Sequence, residues 1–459
     1  MRRPGADVVL AVVLPVVCAL ALLLLHPDRS QPGREAPVDA PLASALVVCP
    51  SALPGTESTG GAGITSLAGS DGAVDGEVTV GLGAATTPLR LRSGRVATPA
   101  AGDGSAFVVS GSGALAPGLL ATRSASAPLA ATDCAPPQPR AWFTGVGADA
   151  THDSVLELVN PDSGPAVADV TVLSPDGELD VPALRGVTVP GGSSATFDLG
   201  AIVPRRGDLA LEVVTGRGRL AAQVVDRYDE LGAGANTQDW LPGQAEPSSS
   251  NLLLGLVGGS GERTLVLANP GDDEVRAELQ VVSPTATFAP SGVEPVRVPP
   301  GGTATVSLDD VLADATAQGA TGLLVTSTGP VSAGLRQRVG GDLTLAAPTP
   351  SLHDTSAAVL PDGTARLLLA GPDAVGVATV SAYAAGGRQL DRQRVELSPG
   401  AGGDVALPAG TALVTVTAER TGVHAVALVS AADGSGAAAV ALREPVLTSR
   451  VPAVRPGVP

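Results

Sequence analysis

The chain contains no lysine, and this absence excludes several kinds of chemistry. All 28 basic residues among its 459 residues are arginine. A Walker phosphate loop, a lysine Schiff base and a serine–lysine dyad each require a lysine amine. None of these three sites can therefore form in this protein.

Aromatic residues and metal-binding patterns are also scarce. Aromatics make up 2% of the chain although 44% is hydrophobic, so Val, Leu and Ala must fill the cores. The three cysteines and four histidines show no metal-ligand spacing, and no G-x-S-x-G nucleophile turn occurs. The pairs His152-Asp153 and His353-Asp354 read as solvated loop residues. The sequence predicts no enzyme activity, no metal and no cofactor.

The net charge of −17 bears on the choice of partners. An acidic surface repels phosphate backbones, so the composition disfavours nucleic-acid binding. Solubility is the simpler interpretation of this charge.

The N-terminus carries the strongest signal for localisation. Val8–Leu25 is an apolar run of 18 residues, which as a helix would span about 27 Å, close to a bilayer core. Arg2 and Arg3 precede it, which orients the N-terminus inward. We predict an uncleaved signal-anchor in the cytoplasmic membrane, single-pass, with the bulk of the chain extracytoplasmic; a cleaved signal peptide is the alternative.

Two of the three cysteines would lie outside the membrane. Cys18 falls within the predicted span, whereas Cys49 and Cys134 follow it into a compartment where disulfides persist. Because they are an even pair with one connectivity, we predict a Cys49–Cys134 disulfide.

A repeat of about a hundred residues organises the rest of the chain. The stretch "LELVNPDSG" contains Asn160-Pro161, and "LVLANPGDD" contains Asn269-Pro270, 109 residues later (269 − 160 = 109). A weaker third copy has Gly371-Pro372 at this place. Proline ends a strand because it lacks the N–H donor, and asparagine favours a turn. We interpret Asn-Pro as a repeated turn and not as an active site.

Each copy contains several short runs rich in Val, Leu and Thr, bounded by turn residues. One short helix is expected in "LDDVLADATAQ". The predicted fold class is all-β, with tandem antiparallel immunoglobulin-like β-sandwich domains behind one N-terminal transmembrane helix. The predicted organisation is a cytoplasmic stub at 1–7, the signal-anchor at 8–25, a linker at 26–45, an N-terminal β-rich region at 46–140, sandwich repeats at 141–240, 252–345 and 357–447, and a disordered tail at 448–459. Short linkers rich in Pro and Ser, Leu241–Asn251 and Ala347–Ser356, separate the repeats.

Three aromatic side chains stand out in a chain so poor in aromatics. Trp142 and Phe143 open the first repeat, and Trp240 closes it. An exposed tryptophan would offer a platform for a sugar or a protein partner. The other interpretation is that each tryptophan packs in the core of a sandwich.

Several short motifs together suggest a family. The N-terminal anchor, "LVVCP", "CAPPQPRAWFTG", the repeated Asn-Pro strands with "VPGGS", and "QDWLP" resemble a family of actinobacterial secreted or membrane-anchored proteins, domain of unknown function 5719. The resemblance implies an envelope location. It supplies no catalytic residues, and the third copy departs from the pattern because it lacks Asn-Pro.

The sequence favours a non-enzymatic envelope scaffold or interaction module, whose partner would be a cell-envelope protein or glycan. An alternative function is binding of cell-wall polysaccharide through exposed tryptophans. An enzyme whose site is assembled across domains is the third hypothesis.

Overall fold

A computed structural model describes residues 16–17, 20–21, 37–56, 60–67, 72–100, 102–229 and 236–451. The chain divides into two compact units, one of Leu42–Leu447 and the other of Met1–Pro41 with Thr448–Pro459. The described residues are mostly strand, all named strand pairs are antiparallel, and the prediction of an antiparallel all-β protein is confirmed. The finer assignment to immunoglobulin-like sandwiches stays a prediction.

The sheets of the larger unit lie within four successive segments of the chain. The N-terminal β region contains β2 (Ser44–Cys49), β3 (Gly60–Ser66), β4 (Asp75–Leu82), β5 (Ala85–Arg92), β6 (Phe107–Ser112), β7 (Leu119–Ser126) and β8 (Leu129–Asp133). Repeat 1 contains β9 (Arg140–Ala148), β10 (His152–Asn160), β11 (Ala166–Ser174), β12 (Gly177–Leu179), β13 (Val187–Val189), β14 (Ser193–Asp198), helix α1 (Leu199–Ile202), β15 (Arg206–Arg217), β16 (Ala221–Asp229) and β17 (Asn236–Leu241).

Repeats 2 and 3 are the remaining two segments. Repeat 2 contains β18 (Ser248–Leu254), β19 (Gly261–Asn269), β20 (Val275–Val282), β21 (Thr287–Phe288), β22 (Val296–Val298), β23 (Gly302–Ser307), helix α2 (Asp309–Ala317), β24 (Gly322–Val339) and β25 (Asp342–Ala346). Repeat 3 contains β26 (Thr355–Val359), β27 (Thr364–Ala370), β28 (Gly376–Tyr383), β29 (Gln389–Leu397), β30 (Gly403–Ala406), β31 (Leu413–Glu419), β32 (His424–Ser430) and β33 (Ala437–Ala441). Single 3₁₀ turns occur at Gly113–Leu115 and Pro182–Leu184. Helix α2 is the short helix that the sequence predicts.

The four segments share one strand topology. In repeat 3, the order β26-β31-β28-β29 forms one sheet and β30-β27-β32-β33 forms the other. The N-terminal β region has the corresponding sheets β2-β6-β4-β5 and β3-β7-β8. In repeat 2 the long strand β24 pairs with β18 and β20 in its first half and with β19 and β25 in its second half. The N-terminal β region is therefore a fourth copy by topology, although the repeat motifs of the other three copies are not recognisable in its sequence.

Apolar side chains from both sheets of a segment meet in one core. In β20 the burial alternates, so that Ala277, Leu279 and Val281 point inward while Arg276 and Glu278 face solvent. This period of two is what one buried sheet face requires. Each of the four segments has its own cluster of this kind.

The Asn-Pro turns lie where strands β10 and β19 end. The Asn160 side chain donates to the carbonyl oxygens of Gly164 and Val189, at 2.8 and 3.0 Å, and accepts from the Asp162 N–H. Asn269 makes the same set of contacts in repeat 2, including a bond to the residue 29 positions later. Both asparagines are buried, and Pro161 and Pro270 follow each strand end. Through the bonds to Val189 and Val298, each asparagine also connects the end of its own strand to the end of β13 or β22.

The disulfide between Cys49 and Cys134 is present, with the two Cα atoms 4.4 Å apart. Cys49 ends β2 and Cys134 follows β8, so the bond joins the first and last strands of the N-terminal β region. Both residues are buried in the core of that region.

Two segments expected to be linkers are instead packed. Gln244 exchanges two backbone hydrogen bonds with Trp142, and strand β18 begins at Ser248, inside the predicted linker 241–251. In 347–356, Leu352 is buried and pairs with Val423. Contacts from distant strands cover these segments, and proline and serine content does not reveal such contacts.

The smaller unit contains one strand pair, in which β1 (Val38–Pro41) lies antiparallel to β34 (Thr448–Val451). The range 448–459, expected to be a disordered tail, begins with β34, and the predicted linker 26–45 contains β1 and the start of β2. Pairing between the two chain ends supplies backbone hydrogen bonds that composition does not reveal. Residues 452–459 lie outside the described part.

The predicted stub 1–7 lies outside the described residues. Of the predicted span Val8–Leu25, the structure describes only residues 16–17 and 20–21, which are helical. Within the described part of the chain, no helix is long and apolar enough to cross a membrane.

Candidate functional site at the centre of the four segments

Within the larger unit, the four segments contact each other in a closed cycle. The N-terminal β region packs on repeat 1, repeat 1 on repeat 2, repeat 2 on repeat 3, and repeat 3 on the N-terminal β region. A separate apolar cluster fills each junction. The last strand of each segment, β8, β17, β25 or β33, contacts the last strand of the next, and we call these four the inner strands.

Side-chain carboxylates connect the edges of the inner strands. Asp239 on β17 accepts a hydrogen bond from the Leu345 N–H of β25, at 3.4 Å. Asp342 on β25 accepts from the Ala437 N–H of β33, at 2.8 Å. An edge strand leaves backbone groups unpaired, and each carboxylate satisfies one of them on the neighbouring segment.

Burial changes the protonation of these two acids. Desolvation raises the pKa of Asp342 to about 6. The pKa of Asp239 is raised well above its usual value, first by burial and then by the nearby charges of Asp342 and Asp226. A buried carboxylate is costly to ionise, so both junctions are most stable when these acids hold their protons.

A cavity of about 890 Å³ opens where the inner strands end. All four segments line it, at the C-terminal ends of their inner strands and in the chain that follows each one. Its lining includes Thr132, Asp133, Pro136, Arg140, Phe143, Pro242, Gln244, Ser250, Asn251, Leu345, Ala346, Pro348, Ser351, His424, Ala439, Ala441, Arg443 and Glu444. Binding sites of proteins are typically concave and lie between domains, and this volume falls in their usual range.

Both arginines of the cavity lining form ion pairs. Arg443 forms an ion pair with Asp133, which joins repeat 3 to the N-terminal β region. Burial lowers the pKa of Arg443 to about 10, so it remains charged at neutral pH. Its side chain is still 29% exposed because it faces the cavity. Arg140 pairs with Glu212 at 3.1 Å, and the lining acids Glu246 and Glu444 add a small negative charge to the wall.

One histidine of the wall is held neutral with a defined tautomer. The His424 Nδ1–H donates to the Thr349 carbonyl oxygen at 2.6 Å. Burial lowers the pKa of His424. The Nε2 atom is then the ring nitrogen that can accept a hydrogen bond, and His424 belongs to the cavity lining.

Neither serine–histidine–aspartate group in the described residues has the geometry of a catalytic triad. The Ser154 hydroxyl donates to Asp226 and accepts from the Gly147 N–H, while His152 bonds the same carboxylate at 2.9 Å. The aspartate therefore separates the serine from the histidine, whereas a triad places the histidine between them. All three side chains are also buried.

The second group lies near Gly422. His353 and Asp373 are 3.9 Å apart and exposed, and the Ser351 hydroxyl is buried without a hydrogen-bond partner in the described structure. A serine nucleophile needs a bond to its base and access to substrate.

The tryptophans are buried, at 2% exposure for Trp142 and 1% for Trp240, as is Phe143. Trp142 packs against Ala268 of repeat 2, and Trp240 packs against Leu53 of the N-terminal β region. Of the two interpretations, burial agrees with the structure and an exposed platform does not, because the neighbouring segments cover the faces of both tryptophans. Each tryptophan fills a junction between segments and not the middle of a single sandwich.

A comparison with protein families agrees with the sequence motifs. A model described as a family of unknown function (DUF5719) matches residues 96–408, which is 313 of 459 residues (408 − 96 + 1 = 313). The chain belongs to this family. In this DUF5719 protein the matched part includes both Asn-Pro turns and both tryptophans, whereas "LVVCP" precedes it. A comparison with curated proteins finds no match.

The inner-strand acids and the Asp133–Arg443 pair were not identified from the sequence. One signal was available, because Asp133, Asp239 and Asp342 each lie in the last strand of a segment. In a single sequence such residues look like ordinary polar positions at strand ends. Their role depends on which strand faces them across a junction.

Proposed function

We propose that this protein is a non-enzymatic, membrane-anchored extracytoplasmic scaffold or interaction module of the cell envelope, whose central cavity holds a segment of a partner. The observation that carries the proposal is the cavity of about 890 Å³ to which all four segments contribute. If the four segments served only to hold a ligand away from the membrane, all four would not need to line one cavity. The cycle of junctions gives the cavity a fixed shape, which lowers the cost of binding.

The lining favours a polypeptide over a glycan. Its two arginines are paired, Glu246 and Glu444 leave only a small negative charge, and the amide residues Gln244 and Asn251 are among its lining. Sugar sites usually stack the sugar on an aromatic face, but Phe143, the one aromatic residue of the lining, is 1% exposed. The partner we propose is an extended segment of an envelope protein.

Site-specific photo-crosslinking in the native membrane tests this proposal. A photoreactive residue at Ser250, which is exposed and lines the cavity, should form a defined protein adduct. The same residue at Ser291, exposed in repeat 2 and outside the cavity, is the control. Glu246→Trp, at an exposed rim position, should reduce the Ser250 adduct several-fold by narrowing the entrance, whereas Glu294→Trp should not.

The contrary outcomes are distinct. Equal adducts at Ser250 and Ser291, or an adduct unaffected by Glu246→Trp, would place the partner elsewhere. Hydrolysis of envelope substrates by the purified full chain would contradict a non-enzymatic role.

A further inference from the structure

A second candidate site lies at the junction between the N-terminal β region and repeat 3. Arg90 and Arg92 project from β5, Arg95 lies in the turn after it, and Arg388 lies in the turn before β29. In a chain with a net charge of −17, three of these arginines, Arg90, Arg92 and Arg95, line one cavity with only two acids, Asp75 and Glu77. We call the four arginines the arginine cluster.

The two turns that carry the cluster pack directly on each other. The Val96 N–H donates to the Ala385 carbonyl oxygen at 2.9 Å. A Cβ atom on Gly387 would lie 3.1 Å from Cγ of Arg95, so glycine lets the arginine stem pack closely against this turn. Gly387 has φ +81°, which also favours glycine. Arg388 follows Gly387, so the backbone brings arginines of two segments to one place.

Concave surfaces lie beside the cluster. One cavity of about 750 Å³ is lined by Arg90, Arg92, Arg95 and Gly386, and another of about 450 Å³ is lined by Arg92, Arg95 and Gly387. Arg92 and Arg95 border both. A ligand in either cavity would therefore lie beside two guanidinium groups.

Most of the donors of the cluster are available to a ligand. Arg92 contacts Asp75 at 3.3 Å and Arg90 contacts Glu77 at 3.8 Å, and all four side chains are substantially exposed. Exposed ion pairs of this kind are weak. Arg95 and Arg388 are exposed and form no ion pair in the part of the chain that the structure describes.

We propose that the arginine cluster binds a phosphate-bearing ligand. A guanidinium group donates two parallel hydrogen bonds to phosphate oxygens, and two such groups beside one cavity suit a ligand with more than one negative charge. The field of the other acidic residues repels an extended anionic surface. The cluster therefore favours a discrete phosphorylated group. This site is separate from the central cavity, so its test is independent of the proposed partner.

Binding of inorganic tripolyphosphate to the full chain, measured by calorimetry at low salt, tests the site. We expect binding that weakens as salt rises and that falls at least tenfold in an Arg92→Gln/Arg95→Gln variant, which removes the two arginines that border both cavities. The matched control is Arg217→Gln/Arg297→Gln, which removes two exposed arginines elsewhere and gives the same net charge. An unchanged thermal unfolding midpoint verifies that each variant is folded.

A second arm distinguishes the source of the phosphate. Flotation with phosphatidylglycerol vesicles is compared with phosphatidylcholine vesicles, which account for insertion of the predicted anchor. Added binding to phosphatidylglycerol that requires Arg92 and Arg95 identifies a lipid headgroup, whereas tripolyphosphate binding alone identifies a soluble ligand. Absence of tripolyphosphate binding, or equal weakening in both double variants, would overturn the proposal.

Discussion

Replacing Asp342 by asparagine should change how stability depends on pH. Asp342 is 6% exposed, and burial raises its pKa from 3.8 to about 6. A raised pKa in the folded state means that the protonated acid stabilises the fold. This stabilisation is complete below the unfolded pKa of about 4 and is lost as pH rises through about 6.

The magnitude follows from the shift. A rise of about 2 pKa units corresponds to about 3 kcal/mol of stability lost between pH 4 and 7. Asparagine does not ionise and can still accept the hydrogen bond from the Ala437 N–H. Relative to the unmodified protein, Asp342→Asn should therefore gain about 3 kcal/mol in free energy of unfolding as pH rises from 4 to 7.

Urea denaturation at several pH values, followed by tryptophan fluorescence, measures this difference. Both tryptophans lie at junctions between segments, so their emission reports on the contacts of interest. Asp433→Asn is the control, because hydrogen bonds from Ser435 lower the pKa of Asp433 below its usual 3.8, so this acid titrates below the pH range tested and its variant should show little change between pH 4 and 7. A difference for Asp342→Asn that stays constant across this pH range would refute the reasoning.

Three further predictions concern the turns, the disulfide and the junctions. Asn269→Ala should lower the free energy of unfolding by about 2–4 kcal/mol in urea denaturation, since it leaves several buried backbone groups unpaired; a loss below about 0.5 kcal/mol would contradict this. Reduction of Cys49–Cys134, which closes a separation of 85 residues, should cost up to about 4–5 kcal/mol, and unchanged calorimetric melting would show that the bond adds nothing. Trp240→Phe should cost about 1–3 kcal/mol, because it removes the Nε1–H bond to the Ser51 carbonyl oxygen and part of a buried ring; an unaffected denaturation midpoint would argue that this junction is loose.

Local features of the fold could be predicted because short stretches of sequence determine them. The Asn160-Pro161 turn, its copy at Asn269, and helix α2 each depend on residues close in the chain. The Cys49–Cys134 pairing could be predicted because these are the two cysteines that follow the predicted membrane span, so only one pairing is possible between them. In contrast, the packed state of 241–251 depends on strands far away in the sequence.

The candidate site could not be predicted because it is formed across segments. Asp239 and Leu345 are 106 residues apart, and the importance of this aspartate depends on the backbone group it meets. The burial of Trp142 also depends on a residue far away in the sequence, because Ala268 of repeat 2 packs against it. Composition identified the unusual residues, but only the cycle of junctions determines which of them are buried.

A double-mutant cycle between Gly63 and Val359 tests the closed cycle of segments most directly. Gly63 lies on β3 and Val359 ends β26, and a Cβ atom on Gly63 would lie 2.5 Å from Cγ1 of Val359. Gly63→Ala should therefore destabilise the protein by about 1–3 kcal/mol through overpacking. Val359→Ala should relieve that clash, so the two changes together should cost at least about 1 kcal/mol less than their sum in urea denaturation. Strictly additive costs would contradict contact between the N-terminal β region and repeat 3, and with it the closed cycle that forms the central cavity.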